Sequence, residues 1–283
     1  MRRLATVLAL AITAATPLPA ARADRPASRY AALGDSFTAG PMIPNRHGMA
    51  GCLRSDHNYP SLVAKALKAR LSDASCTGAE TADMTRPQRT AVGTNPPQLD
   101  SVTAGTTLVT LGIGGNDVGF SKIVLTCGAL SLMSPKGAPC ATRYGNDLDK
   151  RIQETAPKVA SVLRQIHKKA PHARVLLVGY MRLLPDANGC WPEIPIATGD
   201  VPFLNTTERK MNAMLAKTAA ANGATFVDTY ARTEGHDVCA PLTARWVEGL
   251  LPSHPAAPAH PNAVGMQQIA TRVLAALKAS KDA

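Results

Sequence analysis

Three segments of the chain carry side chains that together could hydrolyse an ester. An apolar run over residues 29–33 ends in Gly-Asp-Ser, so that Ser36 would lie at the carboxyl edge of a sheet, where open α/β sheets bind ligands. Asn116 follows a second apolar run, and His260 stands near the end of the chain. A serine hydroxyl attacks an acyl group only with an adjacent base and donors for the developing oxyanion. Histidine and asparagine can supply these functions.

Each candidate also has a simpler interpretation. Ser36 could be a turn serine that caps the next segment, and Asn116 could be the N-cap of a helix that begins near Asp117. His254 precedes a proline as His260 does, but it lacks the Asn-x-x-Gly helix start that follows Pro261. We expect Pro261 to occupy the first position of the last helix. The Gly-x-Ser-x-Gly elbow of α/β-hydrolases is absent from the sequence.

The order of these blocks resembles the SGNH hydrolases, also called GDSL esterases and lipases. Ser36 lies in Gly-Asp-Ser-Phe, where Phe37 replaces the usual leucine, and Gly78 lies in Cys-Thr-Gly-Ala. Asn116 lies in Gly-Gly-Asn-Asp. The resemblance implies Ser36 as nucleophile and His260 as general base and acid. It also implies an oxyanion hole made by the N–H groups of Ser36 and Gly78 and the side chain of Asn116.

One block departs from the family pattern. The family usually has Asp-x-x-His, in which the carboxylate orients the imidazole, whereas Ala257 stands three residues before His260 here. A backbone carbonyl, of Ala257 or Pro258, could orient the ring instead, as in secreted actinobacterial members that use a Ser–His dyad. A remote carboxylate such as Asp237 is the alternative. Asp35 and Asp117 are expected to be structural rather than catalytic.

The first 23 residues read as a secretory signal peptide. Arg2 and Arg3 precede an apolar stretch from Leu4 to Ala15, and Ala21-Arg22-Ala23 resembles a cleavage site. An uncleaved anchor is the less favoured alternative. We therefore expect a secreted protein whose residues 24–283 form a single domain, with no further segment long enough to span a membrane.

Charge and composition restrict the partners. The signal segment carries three arginines and no acidic residue, so the formal net charge falls from +11 to +8 on cleavage. The basic residues are dispersed and aromatic residues are few, which argues against nucleic-acid binding. A positive exported protein favours anionic polymers or lipid surfaces. The sequence has no metal-ligand spacing, and serine–histidine chemistry needs no cofactor.

The six cysteines are expected to form disulfides. An even number in an exported chain indicates a disulfide set, although 15 pairings are open, and no Cys-x-x-Cys pair suggests zinc. The family resemblance implies the nearest-neighbour pairs, which are Cys52–Cys76, Cys127–Cys140 and Cys190–Cys239.

Alternating strand-like and helix-like segments predict a three-layer α/β/α sandwich with a parallel five-stranded sheet of the flavodoxin-like type. The predicted strands are residues 29–33, 74–77, 107–113, 174–179 and 224–228. The predicted helices are residues 59–71, 147–169, 206–221 and 261–280, and Asn205 with Glu208 forms a plausible capping box for the third. Four long connections, residues 78–100, 120–146, 181–205 and 230–259, are expected to wall a pocket.

The closest resemblance is to the secreted actinobacterial GDSL lipases. It implies hydrolysis of fatty-acid esters, such as triacylglycerols, and we expect a monomer that makes transient contact with a lipid surface. The apolar loop from Leu183 to Phe203 could line an acyl groove or touch a lipid surface, or it could be a packed loop held by Cys190. Alternative functions are a phospholipase A, a carbohydrate acetyl esterase, or a secreted binding protein that has no catalytic activity.

Overall fold

The computed structural model describes residues 28–279, and its centre is a parallel five-stranded sheet. The strands, in chain order, are β1 (Arg29–Gly34), β2 (Arg70–Asp73), β3 (Leu108–Gly112), β4 (Arg174–Val178) and β5 (Thr225–Val227). Their order across the sheet is β2-β1-β3-β4-β5, which is the flavodoxin-like order.

The strand order reverses between β1 and β3, and this reversal places the candidate site. The chain leaves β1 toward one edge of the sheet and leaves β3 toward the other. The loops after the two strands therefore diverge and leave a crevice at their carboxyl ends. Gly34 and Gly112 end the two strands in register. Ser36 and Asn116 follow these two strand ends, so the topology alone brings them to one place.

Eight helices surround this sheet in the described part of the chain. They are α1 (Ser36–Ala39), α2 (Tyr59–Leu67), α3 (Gly115–Val118), α4 (Phe120–Ser131), α5 (Pro139–Tyr144), α6 (Asp147–Lys169), α7 (Val201–Ala221) and α8 (Ala263–Ala279). Helix α2 packs against α8, and α6 packs against α7. The two pairs form the outer layers of the predicted α/β/α sandwich, and the buried face of α6 contributes Leu148, Ile152, Val159 and Leu163 to the core.

Two boundaries near β2 were predicted wrongly. The helix expected over residues 59–71 ends at Leu67, where Lys68 adopts a left-handed conformation, and the strand expected at 74–77 lies at Arg70–Asp73. The strand is hard to recognise because its Arg-Leu-Ser-Asp sequence is polar and only partly buried. It is an edge strand that pairs with β1 alone.

The capping box predicted at Asn205 is also wrong. Helix α7 begins at Val201, with Asp200 as its N-cap residue, so Asn205 lies inside the helix. Its buried side-chain amide donates to the carbonyl oxygen of Leu184 at 2.9 Å. The carboxylate of Glu208 accepts the N–H of Leu183 at 3.1 Å, so both polar side chains hold the 181–205 loop instead of the helix end.

Two further predictions need correction. The expected connection over residues 120–146 contains helices α4 and α5. The last helix begins at Ala263 and not at Pro261, which pairs in an isolated bridge with Val247. Asn262 supplies the cap, because its side-chain oxygen accepts the N–H of Gly265 at 3.0 Å.

The disulfides of the structure are Cys52–Cys76, Cys127–Cys140 and Cys190–Cys239, the pairs that the resemblance implied. The predicted signal peptide lies outside the described residues. Within residues 28–279, no helix is both long enough and apolar enough to cross a bilayer.

Candidate active site

Ser36 is held at a tight turn between β1 and α1. Asp35 is the N-cap of α1, and its carboxylate accepts the N–H of Phe37 at 2.9 Å. Gly34 must be glycine here, since a Cβ atom would lie 2.6 Å from the carbonyl oxygen of Gly112. The close approach of the two strand ends therefore fixes where the chain turns and where the buried Ser36 sits.

His260 contacts Ser36 directly. Its Nε2 lies 2.7 Å from the Ser36 Oγ, and its Nδ1 lies 2.7 Å from the carbonyl oxygen of Pro258. A carbonyl oxygen can only accept a hydrogen bond, so Nδ1 carries the proton and Nε2 is free to accept the serine hydroxyl proton. Of the two carbonyls considered from the sequence, that of Ala257 instead accepts the backbone N–H of His260 at 3.2 Å.

The surroundings of His260 favour its neutral ring. Burial lowers the pKa of His260 below its ordinary value, and the hydrogen bond to Pro258 only partly opposes this effect. The ring centroid of Phe37 lies 5.1 Å from that of the imidazole. A neutral imidazole is the form required of a general base.

Glu248 holds the loop that presents His260. Its carboxylate is fully buried and accepts hydrogen bonds from the Asn262 side-chain amide at 2.7 Å and the Ser253 N–H at 2.7 Å. Burial opposes ionisation of Glu248, but these hydrogen bonds outweigh it and lower the pKa. The Glu248 N–H also donates to the carbonyl oxygen of His260 at 3.0 Å. His254 lies on this loop, 2.9 Å from Glu248, and its hydrogen-bond partners are Glu248 and Ser253 rather than Ser36.

Asp237 has a local partner of its own. Its buried carboxylate accepts the N–H of Cys239 at 2.9 Å, and burial raises its pKa. Among the described hydrogen bonds, none joins Asp237 to His260, whose Nδ1 is occupied by Pro258. The orienting group seen in the structure is therefore a carbonyl dipole.

The three candidate oxyanion donors follow the carboxyl ends of β1, β2 and β3. Asn116 is inside α3 and not at its N-cap, which is Gly114, and its Nδ2 donates one hydrogen to the carbonyl oxygen of Ala79 at 2.9 Å. The second hydrogen of Nδ2 remains available. No acceptor within residues 28–279 is bonded to the N–H of Ser36 or of Gly78.

The Gly78 loop is tied to its neighbours from both sides. The Cys52–Cys76 disulfide precedes it, and Gly78 itself has φ = 80°. On the other side, the Asp117 carboxylate accepts two hydrogen bonds from Thr81, one from the backbone N–H at 2.9 Å and one from the side-chain hydroxyl at 2.6 Å. Asp117 thus has a structural contact, linking this loop to α3.

A buried hydrogen-bond chain connects the loops of Ser36 and Asn116. The Tyr180 hydroxyl donates to Asp35 Oδ2 at 2.5 Å and accepts the N–H of Gly115 at 2.8 Å. Burial raises the pKa of Asp35 to about 7, although the Tyr180 hydroxyl and the Phe37 N–H favour the ionised form. Tyr180 therefore joins the residue before the serine to the residue before the asparagine.

A cavity of about 300 Å³ opens beside Ser36, Asn116 and His260. Apart from these residues its walls are mainly apolar. Leu183, Leu184, Ile194 and Ile196 of the 183–203 loop line it, so this loop forms a pocket wall and does not merely pack. Other elements contribute Phe37, Val118, Phe120, Ile123, Val124, Leu125, Ile152, Leu204, Met211, Val238 and Leu250.

Sequence reasoning missed three residues that shape this site. Tyr180 directly follows Gly179 after β4, so its place beyond a strand end was a usable signal. The buried side-chain oxygen of Gln98 accepts the N–H of Gly34 at 2.7 Å, and the side-chain nitrogen of Gln98 donates to the Gly34 carbonyl oxygen at 2.9 Å. These two hydrogen bonds fix the end of β1. Neither Gln98 nor Glu248 belongs to a motif that could have indicated its role.

The family model described as the GDSL-like Lipase/Acylhydrolase family matches residues 32–268. "Lipase 2" of Streptomyces coelicolor is 40% identical over 94% of this chain and 92% of its own length. Among solved structures, phospholipase A1 from Streptomyces albidoflavus superposes with a TM-score of 0.74 at 27% identity, covering 89% of this chain and 99% of that one. The extracellular lipase from Streptomyces rimosus gives 0.72 at 29% identity, with the same shares covered.

Proposed function

The chain belongs to the GDSL-like lipase/acylhydrolase family and is a carboxylic ester hydrolase, and from this premise we propose how it works and on what. We propose that it hydrolyses fatty-acid esters through an acyl-enzyme on Ser36, with the acyl chain in the apolar cavity. The observation that carries the proposal is the 2.7 Å contact between Ser36 Oγ and His260 Nε2 at the wall of that cavity. No metal or cofactor takes part in the proposed steps.

In the first half-reaction, Ser36 Oγ bonds to the ester carbonyl carbon while its proton passes to Nε2 of His260. The carbonyl oxygen becomes an oxyanion, which accepts hydrogen bonds from the N–H groups of Ser36 and Gly78 and from Asn116. Loss of one such donor typically costs about 10²–10³-fold in turnover. The bond to the leaving alcohol then breaks, and the alcohol oxygen takes the proton from Nε2.

In the second half-reaction, a water molecule gives a proton to Nε2 and its oxygen bonds to the acyl carbon. The same donors hold the oxyanion. The bond to Ser36 Oγ breaks, the serine recovers its proton from Nε2, and the fatty acid leaves. During both steps the Pro258 carbonyl holds the Nδ1–H tautomer and offers a dipole, not a full charge, to the imidazolium.

The apolar lining of the cavity favours long acyl groups over acetyl groups. Each methylene removed from water contributes about 0.8 kcal/mol, which is about fourfold in kcat/KM as long as the transition state retains the contact. An acetyl group would leave most of the apolar wall unused. A panel of p-nitrophenyl esters of graded length should therefore show kcat/KM rising with chain length until the cavity is full.

A cavity-filling substitution tests the location of the acyl chain. Val124 lines the cavity and is partly buried, so Val124→Trp should shorten the preferred chain length while leaving acetyl-ester turnover nearly intact. Val92→Trp, at an exposed position that does not line the cavity, is the matched control. Unchanged length preference in Val124→Trp, or a wild-type enzyme that prefers acetyl esters, would contradict the proposed acyl site.

Phospholipids are the second candidate substrate, because this chain superposes on nearly the whole length of the phospholipase A1 from Streptomyces albidoflavus. The same serine and cavity would serve an acyl ester of a glycerophospholipid. Triacylglycerol and phosphatidylcholine with the same acyl chains, compared at equal interfacial area, would separate the two functions.

We also propose that the protein is exported and acts outside the cell. The three disulfides support this, since such bonds persist in oxidising compartments. The structural neighbour from Streptomyces rimosus is an extracellular lipase. Sequencing the N-terminus of protein recovered from the culture medium tests the proposal, and a mature chain that begins at Asp24 is the expected result.

A further inference from the structure

A stripe of large apolar side chains lies on the exposed face of α4 and the turn after it. Leu125, Leu132 and Met133 are 75%, 67% and 89% exposed. Leu132, the C-cap residue of α4, keeps helical backbone angles and lies seven residues after Leu125, so it continues the face of Leu125, and Met133 follows it in the turn. Single exposed leucines are normal in soluble proteins, whereas grouped ones mark an interaction site.

This stripe is continuous with the mouth of the cavity. Leu125 both lines the cavity and reaches solvent. Leu250 also lines the cavity, and the neighbouring Leu251 is 87% exposed. We define the apolar rim as Leu125, Leu132, Met133, Leu250 and Leu251. Through Leu125 and Leu250, the rim adjoins the cavity that Ser36 lines.

The charged side chains of the chain segment that carries the α4 stripe are all basic. No acidic residue occurs from Val118 to Asn146. Lys122 precedes Leu125 by about one turn, and Lys136 follows Met133 by three residues; both lysines are exposed. Within the described structure neither forms a salt bridge. An apolar centre with cations at both ends is the pattern of segments that bind anionic lipid surfaces.

The segment that carries the stripe is held rigidly. The Cys127–Cys140 disulfide joins α4 to α5, and the Ser131 hydroxyl oxygen accepts the N–H of Ala197 at 2.7 Å. The Asp200 carboxylate accepts the N–H of Cys140 at 2.9 Å, at the start of α5. Because the exposed side chains stand on a fixed scaffold, docking would require little ordering of the backbone.

We propose that the apolar rim, with Lys122 and Lys136, docks the enzyme on the surface of anionic lipid aggregates with the cavity mouth facing the lipid. The inference rests on the proposed fatty-acyl ester function, because an ester dissolved in an aggregate must leave it to enter the cavity. Docking of the rim shortens that path. The partner is the lipid surface itself, held by apolar insertion and by attraction between the lysines and anionic head groups.

Vesicle binding tests the proposal without hydrolysis. The probe is a vesicle of non-hydrolysable dialkyl ether lipids, about three parts phosphatidylcholine to one part phosphatidylglycerol, in a flotation assay. Leu132→Ser/Met133→Ser should weaken partitioning by at least about tenfold, because burial of either side chain is worth that much. Neither residue lines the cavity, so hydrolysis of a soluble short-chain ester should stay unchanged.

A charge variant and a matched control complete the design. Lys122→Gln/Lys136→Gln should weaken binding to the anionic vesicles by roughly 30-fold and leave binding to pure phosphatidylcholine unaffected. Leu67→Ser/Val92→Ser removes exposed apolar side chains away from the cavity lining and should change nothing. The lysine variant keeps the test decisive if the apolar variant folds poorly.

The outcomes separate this proposal from the proposed function. If the wild-type protein hydrolyses short esters but does not bind the vesicles, the docking proposal is refuted and the proposed function is not. Equal loss of binding in the rim and control variants would also refute it. A wild-type protein that binds through the rim but cleaves no ester would refute the function and leave the docking surface standing.

Discussion

The Tyr180 hydroxyl is the most informative single group to remove, because it contacts two buried partners of the site. Tyr180→Phe deletes its hydrogen bond to Asp35 Oδ2, at 2.5 Å, and leaves the Gly115 N–H without its acceptor at 2.8 Å. A buried donor without a partner costs about 1–3 kcal/mol, and a hydrogen bond to a charged group contributes about 1.5–3 kcal/mol. Only the second contribution depends on the ionisation of Asp35.

The pH dependence follows from the raised pKa of Asp35. Burial raises this pKa from 3.8 to about 7, so the folded protein holds a proton that the unfolded chain has lost between these values. Asp35 therefore lowers the free energy of unfolding as pH rises from about 4 to 7. The Tyr180 hydroxyl limits this loss because it favours the carboxylate. Without it the pKa of Asp35 rises further, and the loss extends to higher pH.

Denaturant unfolding at about pH 5 and pH 8, with the disulfides intact, measures the effect. We expect Tyr180→Phe to cost about 1–3 kcal/mol at the lower pH and about 1–2 kcal/mol more at the higher pH. Tyr30→Phe is the matched control, since its hydroxyl pairs with the neutral Thr110 hydroxyl at 2.8 Å and should give a loss that pH does not change. A Tyr180→Phe loss that is equal at both pH values, or larger at pH 5, would refute the reasoning.

The other predictions concern the groups around the dyad. Asp237→Asn should leave kcat/KM nearly unchanged, whereas loss of an orienting carboxylate costs about 10⁴-fold in a serine protease triad; a loss of that order would show that Asp237 completes a triad. The acid limb of the pH–rate profile should have its midpoint below 6.5, because the pKa of His260 is lowered and protonation removes the base; a midpoint above 6.5 would contradict this. Glu208→Gln should reduce the loss of melting temperature as pH rises from about 4.5 to 8, since burial raises the pKa of Glu208 from 4.5 to about 8 and the folded protein holds a proton that the unfolded chain has lost in that range; an unchanged loss over that range would count against it.

The fold and the positions of Ser36 and His260 could be inferred from sequence because their signals are local. Buried parallel strands are apolar runs, and polar residues just beyond them must meet at the same sheet edge. The failures came where tertiary contacts override local preference. Asn205 and Glu208 match a capping box, yet both are buried and bind the loop that walls the cavity. Edge strand β2 is polar enough to read as a loop.

The supporting residues of the site could not be found in the same way. These residues act through partners that are distant in the chain. Gln98 binds Gly34, which is 64 residues away, and Tyr180 binds Asp35, which is 145 residues away. Glu248 binds Asn262, which is 14 residues away. Their roles depend on which chain segments the fold brings together, and a single sequence does not record this. The choice between the Ala257 and Pro258 carbonyls likewise depends on one backbone turn, in which Ala259 has φ = 58°.

Covalent labelling by a fluorophosphonate tests the Ser36–His260 dyad most directly. The phosphorus should bond to one serine oxygen with loss of fluoride, and peptide mapping should place a single adduct on Ser36. His260→Ala should slow labelling by at least about 10³-fold, because the proton acceptor at 2.7 Å is gone, while His254→Ala should label at the wild-type rate. An adduct on another residue, or undiminished labelling of folded His260→Ala, would contradict the dyad.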